Sequence, residues 1–124
     1  MMKSIMLIDD DQLFNFLNKR IVQKLDLFEA VDVFNNAKNA LREIETQHLM
    51  PQYILLDLRM PGMNGFEFLE AFDKLPQMLT QNIKVIVLTS SLLEEDHKKC
   101  MEYQKVVAFL PKPLDPERLK IYLV

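Results

Sequence analysis

Four compact apolar runs stand out along the chain: Ser4-Ile5-Met6-Leu7-Ile8, Tyr53-Ile54-Leu55-Leu56, Val85-Ile86-Val87-Leu88 and Val106-Val107-Ala108-Phe109-Leu110-Pro111. A weaker fifth covers Ala30 to Phe34. Runs this short, without polar alternation, suit strands buried on both faces. Between them, apolar residues recur at helical spacing, and this alternation of strand and helix predicts a parallel α/β sheet covered on both sides. Five strand–helix units fit, giving five helices.

The first helix is expected over about 12 to 25, with Leu13, Leu17, Ile21 and Leu25 as its core stripe and Phe14 and Val22 beside them. Ala37, Ala40, Leu41 and Ile44 share one face of the second, and Pro51 closes the connection that follows. The third begins near Gly65, carries Phe68, Leu69 and Phe72, and ends near Leu75-Pro76, because the residue before proline disfavours helical geometry. A loop then leads to the fourth strand. Ser91-Leu92-Leu93-Glu94 has the spacing of a capping box, so the fourth helix is expected from after Ser91 to about Gln104. Asp115-Pro116 opens the last helix as N-cap and first-turn proline, with Leu119, Tyr122 and Leu123 on one face.

With 124 residues the chain is long enough for one well-buried core, and a single domain over 1–124 is expected. A formal charge of −3 offers no basic surface to a phosphate backbone, so direct nucleic-acid binding is not expected. The apolar runs fall far below the roughly 20 residues that span a bilayer, and no signal segment opens the chain, which points to the cytoplasm and away from membranes. The single cysteine, Cys100, reads as a buried free thiol. The last helix stops abruptly at Val124, which raises truncation of a longer protein.

Each compact run ends at a chemically loaded residue: Asp9-Asp10-Asp11, Asp57, Thr89 and Lys112. In a parallel sheet these ends share one edge, where open α/β sheets place their ligands. Clustered carboxylates repel one another unless a cation neutralises them, so a divalent ion or the Lys112 ammonium is the natural remedy, and the Thr and Lys suit a phosphoryl group. Asp9 and Asp10 are the metal candidates, while Asp11 reads as the N-cap of the first helix. Asp57 precedes Leu58-Arg59-Met60-Pro61-Gly62-Met63-Asn64-Gly65, a loop that holds both glycines of the chain. That loop could shape itself around an anion or turn a carbonyl toward a cation, or serve simply as a tight strand-to-helix connection. Lys112 stands between Pro111 and Pro113, which admits a cis Lys112–Pro113 bond.

Across essentially its whole length the sequence resembles the receiver domains of two-component response regulators, chemotaxis-regulator-like in scale. Asp9-Asp10, the Asp57-to-Gly65 loop, Thr89 and Lys112-Pro113 carry the resemblance in order and spacing. It implies a flavodoxin-like, doubly wound five-stranded parallel sheet in the order 2-1-3-4-5. By position it implies that Asp57 is the phosphoacceptor, taking its phosphoryl group from a sensor histidine kinase or a histidine phosphotransfer protein. Mg²⁺ would be bound by Asp10, Asp57 and the Arg59 backbone carbonyl, with Asp9 holding a metal water. Thr89 and Lys112 would bind phosphoryl oxygens, Phe109 would be the switch aromatic, and Arg59 and Ser91 match positions that tune phosphoryl lifetime. The resemblance also implies a partner face of Lys98, Lys99, Tyr103, Lys105, Phe109 and Lys120, which plain solvation would equally explain; the downstream protein is unspecified.

A Mg²⁺-dependent phosphohydrolase of the haloacid-dehalogenase type is the main alternative, since Asp9-Asp10-Asp11 contains its D-x-D. That family, however, places a Thr shortly after its nucleophile, where this chain has Leu13. A flavin-binding flavodoxin fits less well, because its first loop cradles a phosphate and this one is acidic. His48 and His97 show no metal-ligand spacing and read as surface residues.

Overall fold

The computed structural model describes residues 3–123; Val124, where truncation was expected from the sequence, lies outside them. Five strands, β1 (Ser4–Ile8), β2 (Ala30–Phe34), β3 (Tyr53–Leu56), β4 (Lys84–Thr89) and β5 (Val106–Pro111), form one parallel sheet in the order β2-β1-β3-β4-β5. Among the described residues the helices are α1 (Gln12–Lys24), α2 (Ala37–Glu45), α3 (Gly65–Asp73), α4 (Gln77–Thr80), α5 (Glu94–Met101) and α6 (Pro116–Lys120). No helix among them is long and apolar enough to cross a membrane.

The three inner strands β1, β3 and β4 are apolar along almost their whole length because the sheet has a core on each face. Met6, Ile8, Ile54, Leu56, Val85 and Val87 point to one side, where they meet Ala40, Ile44, Phe68, Leu69 and Phe72 of α2 and α3, with Cys100 of α5. The intervening Ile5, Leu7, Tyr53, Leu55, Ile86 and Leu88 point to the other, against Val22 of α1 and Leu119 of α6. A strand period of two therefore feeds two layers, as covering a parallel sheet on both faces requires. Tyr122 and Leu123 pack into the second layer with Leu119, although the helix itself ends at Lys120.

Four expectations change. In α1 the buried residues are Asn15, Asn18 and Val22, while Leu13 and Leu17 are 64% and 44% exposed. The start of the helix is turned so that Asn15 Nδ2 can donate to the Asp9 carbonyl at 2.7 Å, leaving Leu13 and Leu17 outside, while Val22, Ile21 and Leu25 of the expected stripe do pack on the second layer. The third helix ends at Asp73, and the stretch expected as loop holds the one-turn α4, so there are six helices rather than five. The capping box at Ser91 does not form: α5 starts at Glu94 after Leu93, which supplies no side-chain cap, and ends at Met101 rather than near Gln104. The Ser91 hydroxyl instead donates to Asp96 Oδ2 at 2.6 Å. By contrast, Asp11 caps α1, accepting from Leu13 N–H at 2.9 Å, and Asp115 caps α6, accepting from Glu117 N–H at 2.9 Å.

Candidate functional site

Register carries the strand-end residues into one place. Ile8 of β1 pairs with Leu56 of β3, so the residues that follow, Asp9 and Asp57, leave adjacent strands side by side. Ladder bonds run one residue past the strands: Asp57 N–H donates to the Ile8 carbonyl at 3.0 Å and Asp9 N–H to the Phe34 carbonyl at 3.1 Å. Lys112 N–H donates to the Thr89 carbonyl at 2.9 Å. The lysine precedes a cis peptide bond, its bond to Pro113 being cis as the sequence admits. These main-chain bonds hold the acids, the Thr and the Lys on one edge of the sheet.

Within this edge the Lys112 ammonium donates to Asp9 Oδ2 at 2.7 Å and stands 3.4 Å from Asp57 Oδ1. It also lies 4.3 Å from the centre of the Phe14 ring, a cation–π contact that keeps its stem against α1. Asp9 and Asp57 are buried, Asp10 is exposed, and one carboxylate oxygen from each of the three lies within 4.8 Å of the others. Burial, and then the neighbouring Asp9 charge, push the Asp57 carboxyl up from 3.8 to about 6, against the opposing pull of Lys112 and the Arg59 N–H. One ammonium thus faces two buried carboxylates, and negative charge is left over. Hard carboxylate oxygens with a charge deficit form a donor set that fits Mg²⁺.

The glycines of the following loop have separate tasks. Gly62 takes φ +73°, where a side chain is strained. At Gly65 a Cβ would stand 2.6 Å from the Asp57 carbonyl oxygen and 2.7 Å from Leu58 Cα, so only glycine lets α3 begin this close to β3. Asn64 then caps α3 in a true capping box, accepting from Glu67 N–H at 2.9 Å while its own N–H donates to Glu67 Oε1 at 2.9 Å. The tight-connection reading of the loop and a ligand-shaping one are therefore both compatible with the same geometry.

At the end of β4 Thr89 is buried, its Oγ1 accepting from Ser91 N–H at 3.1 Å. The Arg59 guanidinium does not lie free beside Asp57; it donates from Nη2 to Asp96 Oδ2 at 2.6 Å. Asp96 escaped the sequence reading because Glu94-Glu95-Asp96 looks like three solvated acids in a first helical turn, and only the folded contact with Arg59 separates it from the others. Asn15 escaped for a related reason, its value lying in a bond to the Asp9 main chain. Phe109 is half-buried in β5 and stacks on His97 of α5, with ring centres 4.7 Å apart. His97 is exposed, as expected, but engaged. Of the expected partner face, Lys99 is exposed with its ammonium 4.4 Å from the Phe66 ring centre, and Lys120 stands 3.5 Å from Glu117. Cys100 is buried, and burial, with Asp96 adding to it, pushes its thiol up to about 11.

Comparison with known proteins agrees with this geometry. The model of the response regulator receiver domain matches residues 5–123. A protein-glutamate methylesterase/protein-glutamine glutaminase of Treponema denticola is 33% identical over 97% of this chain and 31% of its own length. The transcriptional regulatory protein MalR of Bacillus subtilis is 31% identical over 98% of this chain and 49% of its own. The chain thus spans 31% to 49% of the length of these relatives. Among solved structures, a two-component response regulator from Cytophaga hutchinsonii superposes with a TM-score of 0.87 at 30% identity, covering 98% of this chain and 94% of that one.

Proposed function

Since the chain belongs to the response regulator receiver domain family, we propose that it accepts a phosphoryl group on Asp57 from the phosphohistidine of a sensor kinase or a histidine phosphotransfer protein. One observation supports the assignment to Asp57: it is the buried carboxylate at the end of the middle strand, 3.4 Å from the Lys112 ammonium, whereas Asp9 beside it already accepts from that ammonium at 2.7 Å and from Asp11 N–H at 2.9 Å. A carboxylate oxygen attacks phosphorus, the nitrogen–phosphorus bond breaks, and the departing imidazole keeps the bonding pair and is protonated from solvent. At neutral pH the carboxyl is mostly ionised, as a nucleophile must be, because its raised value of about 6 still lies below pH 7.

Asp10, Asp57 and the Arg59 carbonyl would hold Mg²⁺, with Asp9 on a water of its shell. When bound, the ion supplies charge neutralisation for phosphoryl oxygens. Lys112 is placed to pair with one of those oxygens and Thr89 to donate its hydroxyl to another, drawing the ends of β4 and β5 toward β3. Phe109, in β5 beside Lys112, would sense that movement. The domain, spanning 1–124, would pass its state to a protein partner rather than to nucleic acid, in keeping with its net charge of −3. Apart from its own phosphorylation and dephosphorylation it would catalyse nothing. We place it in the cytoplasm, where a lone thiol such as Cys100 stays reduced.

The test uses phosphoramidate, a small nitrogen–phosphorus donor, with Mg²⁺, followed by borohydride reduction, which converts an aspartyl phosphate to homoserine. Homoserine at position 57 alone is expected in the peptide map. Homoserine at position 9 or 10, or release of phosphate without any adduct, would contradict the assignment and favour a hydrolase.

A further inference from the structure

One buried carboxylate near the site has no part in the reading above. Asp96, in the first turn of α5, has a side chain 10% exposed, and its Oδ2 accepts from both Arg59 Nη2 and Ser91 Oγ at 2.6 Å. Both donors stand two residues past a phosphoryl-site residue, Arg59 after Asp57 and Ser91 after Thr89. Ser91 also ties the segment inward, its N–H donating to Thr89 Oγ1 at 3.1 Å while its own Oγ accepts from Leu93 N–H at 3.3 Å. Because Leu93 gives α5 no side-chain cap, these are the side-chain bonds that tie the helix start to the site, beside the main-chain bonds of Asp96 and His97 N–H to the Leu93 carbonyl.

Arg59 is held to Asp96 by charge and hydrogen bonding rather than by walls. Its side chain is 57% exposed, and its guanidinium carbon lies 5.9 Å from the centre of the Phe66 ring, whose ring centre is also 4.4 Å from Lys99 Nζ of α5. An exposed guanidinium with a single carboxylate partner can be drawn off by a stronger anion within reach. Asp96 pays for such a loss, since a mostly buried carboxylate left with one hydroxyl partner is poorly compensated.

We propose that Asp96 is a positioning residue that withholds Arg59 from the phosphoryl site, so that a phosphoryl group on Asp57 competes with it for the guanidinium and, on winning, unfastens the start of α5. This rests on Asp57 being the phosphoacceptor. The anion on Asp57 and the carboxylate of Asp96 are alternative partners of one cation, and the first turn of α5 follows whichever holds it. The state of Asp57 thereby reaches α5 through Arg59, in addition to the Thr89 and Phe109 route that meets the same helix by way of Ser91 and His97.

Beryllofluoride with Mg²⁺ provides a stable phosphoryl mimic, and its affinity can be followed by amide resonances of the whole chain. Asp96→Asn weakens the competitor, so beryllofluoride should bind about three- to tenfold more tightly. In an Arg59→Ala background the same substitution should change affinity less than twofold, because the contested cation is gone. The amides of Glu94–Met101 in mimic-free Asp96→Asn should also lie displaced toward their positions in the mimic-bound native chain. A merely structural Asp96 would instead give unchanged or weaker binding, or the same change in both backgrounds, and any of these overturns the proposal. Failure of the native chain itself to bind beryllofluoride would sink the phosphoacceptor reading, and this inference with it; native binding without Arg59 dependence would sink the inference alone.

Discussion

At Asp57 the requirements of folding and of reactivity oppose each other. Its carboxyl is raised from 3.8 to about 6, first by burial and then by Asp9. The folded chain consequently holds this proton more tightly than the unfolded chain, so stability rises as pH falls through about 6 and the gain is complete near 4. Above pH 6 the ionised group is a net cost to the fold. Asp57→Asn keeps the shape and removes the charge that Asp9 repels. Thermal melts without Mg²⁺ should show the variant more stable than the native chain at pH 7.5, with the difference vanishing toward pH 4; a destabilised variant at pH 7.5 would contradict this electrostatic account. At this scale Asp9, Asp10, Asp57, Thr89 and Lys112 were legible in the sequence because each terminates an apolar run. Asp96 and Asn15 were not, because their partners, the Arg59 guanidinium and the Asp9 carbonyl, are assembled only by the fold.

Among the elements, α1 departs most from its sequence pattern. Leucines four apart ordinarily mark a core stripe, yet here Leu13 and Leu17 join Phe16 on an exposed face while Asn15, Asn18 and Val22 face inward. The physical reason is the site: the start of α1 abuts the acidic end of β1, where amides can satisfy main-chain carbonyls and leucines cannot. The inner strands were legible because burial on both faces makes them near-continuous apolar runs, whereas the half-buried edge strand β2, with Asp32 in it, gave the weaker signal. The missed one-turn α4 and the displaced start of α5 belong to connections, whose short-range signals several local geometries satisfy. Replacing Leu13 and Leu17 together by Ser should leave stability within about 0.5 kcal/mol per site, as for ordinary surface positions. Val22→Ala should cost about 2 kcal/mol, for lost methyls and the cavity they leave. Urea denaturation distinguishes the two, and the reverse order of costs would return the leucines to the core.

Across the whole molecule, topology is what turns scattered residues into a site. The order β2-β1-β3-β4-β5 sets β1 beside β3 and β4 beside β5, so that Asp9 with Asp57, and Thr89 with Lys112, meet at one edge although Lys112 is 103 residues from Asp9 in the chain. Helices on both faces leave that edge as the place where charge remains uncompensated, and a phosphoryl group arriving there would touch β3, β4 and β5 together. The most direct test is the intact mass of the native chain and of Asp57→Asn after incubation with acetyl phosphate, each with and without Mg²⁺. The account predicts a single phosphoryl adduct on the native chain, dependent on Mg²⁺ and absent from Asp57→Asn. An adduct that survives in Asp57→Asn, or a native chain that gains none while consuming the reagent, would contradict it.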